Sequence, residues 1–482
     1  MDGRRVPLTA LLGRLPAADV SGNQDLPITG IAIDSRAVKP GELFVALRGT
    51  KSDGHHHAAD AVAAGAAAVV VERVTPVPAS ATVVTVADSR RALSLLAAAF
   101  YDDPSRSLDA IGITGTNGKT SVAHMVAAIF DAGKIPCGII GTVGAEFRSR
   151  RWRVENTTPQ PPELQALLAQ MRDDGAKAVA MEVSSHALAL GRVDDVRLRV
   201  AALTNVTRDH LDFHETLEAY AAAKRRLFEL APAAVLNLDD AYGARWAGEL
   251  RDEGREVVTY GTQPGALLAP ADIEVASDAT RFTLDRRRFE LQVGGRFNVW
   301  NALAAIGVAR LCGIDDATSA RGLAAMPGVP GRMERLSAGG VNVVVDYAHT
   351  PDALENVLRA LRETTSGSLA VVFGCGGDRD RGKRAEMGAV AARHADRIYL
   401  TSDNPRSEEP QAIVDAIERG VGGADHVVEL DRRRAIERAI AEARASDVVL
   451  IAGKGHETYQ IVGERVLPFD DAAVAREALA RR

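Results

Sequence analysis

The stretch that most constrains this chain is Ala110-Ile111-Gly112-Ile113-Thr114-Gly115-Thr116-Asn117-Gly118-Lys119-Thr120-Ser121. A short apolar run ends in glycine and passes at once into a helical pattern over 120–132, which predicts strand, tight loop and helix in succession. Gly115 and Gly118 let the backbone fold so that successive N–H groups face one centre. The start of the helix adds partial positive charge there. Lys119 has the reach to meet outer phosphates, and Thr120 can offer its hydroxyl to Mg²⁺. A glycine-rich turn before a helix is the plain alternative; the adjacent Gly118-Lys119-Thr120 in this setting favours nucleotide binding. The general phosphate-loop pattern asks for glycine five residues before Gly118, and Ile113 stands there instead, so the loop is a variant.

Around this loop the rhythm is strand then helix. Buried strands are expected at 178–183, 200–204 and 233–238, and their alternation with helices implies a mainly parallel sheet covered on both faces. Residues 1–104 have another texture, with short strands expected at 28–34, 41–47, 67–72 and 82–86 and a helix over 89–101. Asp102-Asp103-Pro104 then breaks the helix. A second break at 327–331 holds Pro327, Gly328, Pro330 and Gly331. Beyond it, strands are expected at 341–347, 369–374, 397–401, 426–430 and 448–452, with helices over 351–363, 383–394, 411–419 and 432–445. A chain of 482 residues exceeds what one core holds. The reading is an α/β protein of three domains: 1–104, 105–330 and 331–482.

Composition narrows the partners. With 25% charged residues and a formal net charge of −6, the chain lacks the basic footprint of a nucleic-acid binder. No apolar run approaches the ~18 residues of a membrane span, and the start has no basic head followed by an apolar stretch. No membrane insertion is expected, and the expected location is cytoplasmic. Cys137, Cys312 and Cys375 are few, odd in number and set beside apolar or glycine residues, so they read as buried free thiols in a reducing compartment. His55-His56-His57 reads as a surface loop in preference to a metal cluster.

Two further segments carry chemistry. Glu182 closes the strand expected at 178–183, and His210 lies in Thr204-Asn205-Val206-Thr207-Arg208-Asp209-His210 at the end of the next. In open α/β sheets ligands bind beyond the carboxyl ends of strands, which makes both residues natural Mg²⁺ ligands beside a nucleotide. Taken singly, each is equally well a surface glutamate or a capping histidine.

Segments 115–121, 182–186, 205–214, 298–305, 346–352 and 453–457 together resemble the motif series of the Mur ligases, the ATP-dependent amide ligases of bacterial peptidoglycan synthesis. The resemblance spans nearly the whole chain. It implies a small α/β uridine-binding domain, a central parallel-sheet P-loop ATPase domain and a C-terminal Rossmann-like α/β domain. It also implies ATP, two Mg²⁺ ions and a CO₂-derived carbamate on Lys224, fourteen residues after His210. A desolvated lysine has a lowered pKa, so its neutral amine can capture CO₂. The residues alone would make Lys224 a solvated helix position, like Arg225 and Arg226. Lys119, Glu182, His210 and Lys224 become the expected catalytic set. Asn301 matches an adenine contact, Arg332 a γ-phosphate contact and Asp346 a ribose contact, with His349 nearby.

Within the family, Ile33-Asp34-Ser35-Arg36 and Asp403-Asn404-Pro405-Arg406 resemble the member that adds a diamino acid to UDP-N-acetylmuramoyl-L-alanyl-D-glutamate. The form ending in Arg406 implies meso-2,6-diaminopimelate. A guanidinium fork grips the extra carboxylate through two hydrogen bonds, and L-lysine would leave that fork unpaired. Arg379 is a second expected carboxylate contact, and Gly453 and Glu457 match contacts to the amino end. Ile33, Ser35, Thr50, Lys51, Ser52, Asn156, Thr157, Thr158, Ser184 and Arg192 match contacts to the nucleotide sugar and its peptide. Leu190 departs from relatives that place glutamine there. A monomer is expected. The alternatives are an L-lysine-adding relative, a folylpolyglutamate-synthase-like ligase, or a nucleotide switch that would leave Glu182, His210 and Lys224 unexplained.

Overall fold

The computed structural model describes residues 3–49 and 52–482. The chain forms two compact units, one made of Met1–Gly112, Ile135–Ala201 and Arg226–Pro232, the other of Ile113–Lys134, Ala202–Arg225 and Ala233–Arg482.

In the first unit a five-stranded sheet runs in the order Asp19–Ser21, Thr82–Thr85, Ala68–Val71, Leu43–Val45, Ile31–Ala32. All neighbours are parallel except the first pair. Leu43 and Val45 pack with Val70 and Val84 on one face, while Phe44, Val69 and Val71 pack on the other, the period-2 split of a strand buried on both sides. The helix Ser89–Phe100 starts where Asp88 accepts the Arg90 and Arg91 amides. Farther on, Cys137–Gly141 pairs in parallel with Ala178–Glu182, and Gly144–Phe147 and Arg150–Trp152 extend it as antiparallel strands. Sequence reading missed that hairpin.

In the second unit the helix Lys119–Ala132 packs against Phe297–Leu311 and Asp316–Ala325. Ala233–Asn237 pairs in parallel with Glu256–Tyr260. An unforeseen antiparallel sheet of Ala271–Val275, Thr280–Leu284 and Arg287–Leu291 follows. Beyond the break at 327–331 lies a six-stranded sheet ordered Glu334–Ala338, Val341–Asp346, Val448–Ala452, Leu369–Phe373, Arg397–Leu400, His426–Val428. Only its first pair is antiparallel. Val344, Val371, Phe373 and Leu450 face the helices Pro351–Thr364, Lys383–His394 and Pro410–Val421, while Val343, Val345, Val372 and Ile451 face Arg432–Glu442 and Asp471–Ala480. Parallel register brings the carboxyl ends of four strands to one edge, delivering Asp346, Gly374, Asp403 and Gly453.

Two expectations need correction. His55 is not a surface residue: it is 2% exposed, its Nδ1 meets Asp53 at 2.6 Å and its Nε2 accepts the Glu72 amide at 2.9 Å. A carboxylate two residues away and a strand end across the fold give its ring the partners that burial demands. Cys137 and Cys375 are buried, but Cys312 is only half-buried, because it caps the end of Phe297–Leu311. Thr50 and Lys51, two of the expected nucleotide-sugar contacts, lie outside the described residues.

Candidate active site

The loop folds as its glycines predict. Gly115 has φ +143°, and a Cβ there would lie 1.8 Å from Thr204 Oγ1; Gly118 has φ +88°, with Asn301 Oδ1 2.4 Å from any added Cβ. Only glycine fits either place. The Thr116 and Asn117 amides do not point into an open cradle: they donate to the Asn205 carbonyl at 2.8 Å and to Asn205 Oδ1 at 2.9 Å. Asn205 thus braces the loop, a role the sequence reading had not assigned. Gly118 caps Lys119–Ala132 without a side-chain bond, so the first-turn amides have no intrahelical acceptor and form the anion-facing end.

Cations gather at this end. Lys119 Nζ donates to the Gly115 and Thr116 carbonyls at 2.9 and 2.8 Å. Lys224 Nζ donates to the same Gly115 carbonyl at 2.8 Å. Lys224 is 1% exposed and lies 4.3 Å from the Tyr220 ring centroid. Burial first, and then the Lys119 charge, hold its amine well below the usual lysine range, against a weaker pull from Asp209. Arg332 Nη2 donates to Thr120 Oγ1 at 2.9 Å, and its guanidinium lies 4.5 Å from the Tyr347 ring centroid. The hydroxyl expected to face a metal thus already faces a cation.

Asp346, the expected ribose contact, accepts the Met333 and Ala348 amides at 2.8 Å each. Burial pushes its carboxyl up, opposed by Arg332 and those two amides. His349 is held down to about 4 by burial and by Lys383, whose ammonium donates to its carbonyl at 2.8 Å. Asn301 lies against Gly118 and donates to Asn298 Oδ1 at 3.0 Å. His210 sits in left-handed backbone, φ +53°, with Nε2 3.3 Å from Asp209 Oδ2.

The residues expected to hold the amine donor lie at the edge of the six-stranded sheet. Asn404 Nδ2 donates to Glu457 Oε2 at 2.9 Å, and Gln460 Nε2 donates to the Asp403 carbonyl at 2.8 Å. Gly453, φ +113°, leaves no room for a Cβ, which would lie 2.6 Å from Asp403 Oδ2. Arg406 donates to the Gly377 carbonyl at 2.9 Å, and Arg379 is exposed. Pro405 is buried between them in sequence. Beneath this edge Arg432, 1% exposed, holds Asp471 at 2.8 and 2.7 Å and donates to the Ala452 carbonyl at 2.9 Å. Its chain position gave no hint of that role.

In the first unit six residues form one cluster. Glu182, 1% exposed, accepts the Thr142 amide at 2.8 Å and its hydroxyl at 3.0 Å. Thr157 Oγ1 meets Thr142 Oγ1 at 3.1 Å. Thr158 Oγ1 donates to the Glu182 carbonyl at 2.9 Å and accepts the Ser184 amide at 3.0 Å, while Arg192 donates to the Thr158 carbonyl at 2.9 Å. Thr142, which the sequence reading did not single out, is the hinge of this network. Asn156 is exposed, and Ile33 and Ser35 are half-buried around the one-turn helix Ser35–Ala37. Ser52 Oγ meets His57 Nε2 at 3.2 Å.

Comparison with known proteins bears on both units. Three family models match in succession: the Mur ligase family catalytic domain over 27–101, the Mur ligase middle domain over 113–309, and the Mur ligase glutamate ligase domain over 331–455. A UDP-N-acetylmuramoyl-L-alanyl-D-glutamate--2,6-diaminopimelate ligase of Gloeobacter violaceus is 45% identical, with 96% of each chain covered. A solved structure of a ligase of that name is 34% identical over 99% of each chain, with a TM-score of 0.69. The MurF ligase of Thermotoga maritima, solved with ADP, shares the fold at 21% identity, covering 94% of this chain and 96% of that one with a TM-score of 0.62. Matched from its first strands to the edge of its last large sheet, the chain belongs to the Mur ligase family and has that family's three-domain α/β fold.

Proposed function

We propose that this ligase joins meso-2,6-diaminopimelate to the D-glutamate γ-carboxylate of UDP-N-acetylmuramoyl-L-alanyl-D-glutamate, converting ATP to ADP and phosphate, in peptidoglycan precursor synthesis. The observation that carries this reading is the presence in one compact unit of the cation-lined phosphate loop and the edge formed by Asp403, Asn404 and Glu457. The first half-reaction needs an electropositive cradle, and the second needs an acidic seat for an amine.

In the first half, the γ-carboxylate attacks the ATP γ-phosphorus. Lys119, Arg332 and the first-turn amides of Lys119–Ala132 offset the charge that spreads over the phosphoryl oxygens. The Thr120 hydroxyl, Glu182, His210 and a carbamate on Lys224 are the proposed ligands of two Mg²⁺ ions. Bound Mg²⁺ supplies further neutralisation of phosphate charge. Carbamylation fits an amine that burial and Lys119 hold well below the usual lysine range: the nitrogen bonds the CO₂ carbon and gives up a proton. In the second half, the diaminopimelate amine attacks the acyl phosphate, forming the amide and releasing phosphate and a proton. Asp403, Glu457 and Gly453 are proposed to seat the amino end, and Arg406 and Arg379 the distant carboxylate. The adenosine contacts are assigned to Asn301, Asp346 and His349. The nucleotide sugar is assigned to residues 1–104, ATP to 105–330 and the amine to 331–482, in a cytoplasmic monomer.

ADP release is the test, with UDP-N-acetylmuramoyl-L-alanyl-D-glutamate as acceptor and meso-diaminopimelate, L-lysine or D-alanyl-D-alanine as amine. Only meso-diaminopimelate is expected to support turnover. Equal turnover with L-lysine would overturn the amine assignment, and the absence of ADP with all three would overturn the ligase reading.

A further inference from the structure

Behind the amine-side edge lies a buried cation that the mechanism above does not use. Lys454 is fully buried, at 0% exposure, directly after Gly453. Its Nζ donates to Asn404 Oδ1 at 3.1 Å and to Glu457 Oε2 at 3.0 Å, and lies 4.0 Å from Asp403 Oδ1. The Tyr459 ring covers it, with its centroid 5.6 Å away.

These bonds fix two groups that face the substrate. Asn404 Oδ1 also accepts the Ile461 amide at 3.0 Å, while Asn404 Nδ2 donates to Glu457 Oε2 at 2.9 Å. With two donors on Oδ1, the amide cannot flip without setting its NH₂ against an ammonium and an N–H. Glu457 Oε2 accepts from both Lys454 and Asn404, so Oε1 is the oxygen left for an incoming ammonium. Every close neighbour is an acceptor, and lysine, with three donors and no acceptor, matches that demand. The same charge, closer than that of Arg432 beneath the edge, offsets Asp403 and Glu457.

We propose that Lys454 is a positioning residue for the amine donor. It holds Asn404 and Glu457 in one orientation and keeps both carboxylates ready for the ammonium of the diamino acid. This inference rests on the amine assignment made above. A purely structural lysine would lower every activity together, whereas a positioning lysine acts on the amine step alone.

The test uses the full chain with Lys454→Met and, as a milder change that retains a donor, Lys454→Gln. In steady-state ADP release, the KM for meso-diaminopimelate is expected to rise roughly 10- to 100-fold in Lys454→Met and less in Lys454→Gln. The KM values for ATP and the UDP substrate are expected to stay within about twofold. Hydroxylamine, which attacks the acyl phosphate without needing the amine seat, is expected to give hydroxamate at the wild-type rate in both variants. An unchanged KM for diaminopimelate would overturn the inference. So would hydroxamate formation that falls in step with diaminopimelate turnover, or the loss of a cooperative melt in both variants. A wild-type enzyme that forms hydroxamate but ignores diaminopimelate would instead sink the amine assignment, and this inference with it.

Discussion

Lys224 and Lys454 lie in the same compact unit and are equally hidden from water, yet their neighbours are opposite. Lys224 shares the Gly115 carbonyl with Lys119 and has a second ammonium where an ion-pair partner would be expected. Lys454 touches Glu457 and lies beside Asp403. Burial makes a charge costly in both places. At Lys224 only a weaker pull from Asp209 opposes that cost, so the amine is held well below the usual lysine range, which is the condition the proposed CO₂ capture needs. At Lys454 the two carboxylates offset it, and the ammonium becomes a fixture. Burial alone therefore does not mark a reactive lysine; the charge next to it does.

The comparison breaks most visibly in turnover. Lys224→Ala is expected to lower kcat on the order of a thousand-fold, with partial recovery in acetate or formate, which replace the carbamate oxygens. Full activity without either anion would remove the reactive lysine from the pair. Next in size is Lys454→Met, expected to destabilise the protein by about 1–3 kcal/mol because it removes the buried ammonium bonded to both Glu457 and Asn404. A lowered melting temperature checks this. Lys224→Met should do the reverse, raising stability at pH 7 by about 1–2 kcal/mol, since it replaces an amine that burial disfavours with an apolar chain of similar length. Equal signs in the two melts would refute the contrast. The smallest effect lies in pH dependence. An unfolded lysine keeps its proton up to about pH 10.4, whereas folded Lys224 has lost it at lower pH. Unfolding thus takes up a proton within that window, and stability rises with pH across it. In CO₂-free buffer this rise should flatten in Lys224→Met and persist in Lys454→Met.

Much of this was legible beforehand, for physical reasons that differ by region. The strand at Asp109–Thr114 and helix at Lys119–Ala132 follow from an apolar run, two required glycines and a helical pattern. The strands of the last sheet are continuous apolar runs because both faces are covered. The sheet Thr280–Leu284 with Arg287–Leu291 was missed although its burial alternates, because its turn uses Asp285 and Arg286 at positive φ in place of glycine or asparagine. The burial of Lys224 had a faint signal: Tyr220 stands four residues earlier, on the same helical face, and is itself 1% exposed. Lys454 had none, since a lysine between two glycines reads as loop. Glu457 stands three residues on, but Asn404 comes from a turn fifty residues away, and only the sheet order brings it there.

The buried Arg432–Asp471 pair orders events in time. The ribosome releases Arg432, then the strand Val448–Ala452 whose end carbonyl it holds, and only afterwards the aspartate that neutralises it, 39 residues downstream of the arginine. Until Asp471 emerges, the guanidinium under the strand ends lacks the carboxylate that grips it through two hydrogen bonds in the fold. The phosphate loop and its brace at Asn205 are made far earlier. The side chains beneath that edge are therefore completed only after the phosphate loop has been synthesised.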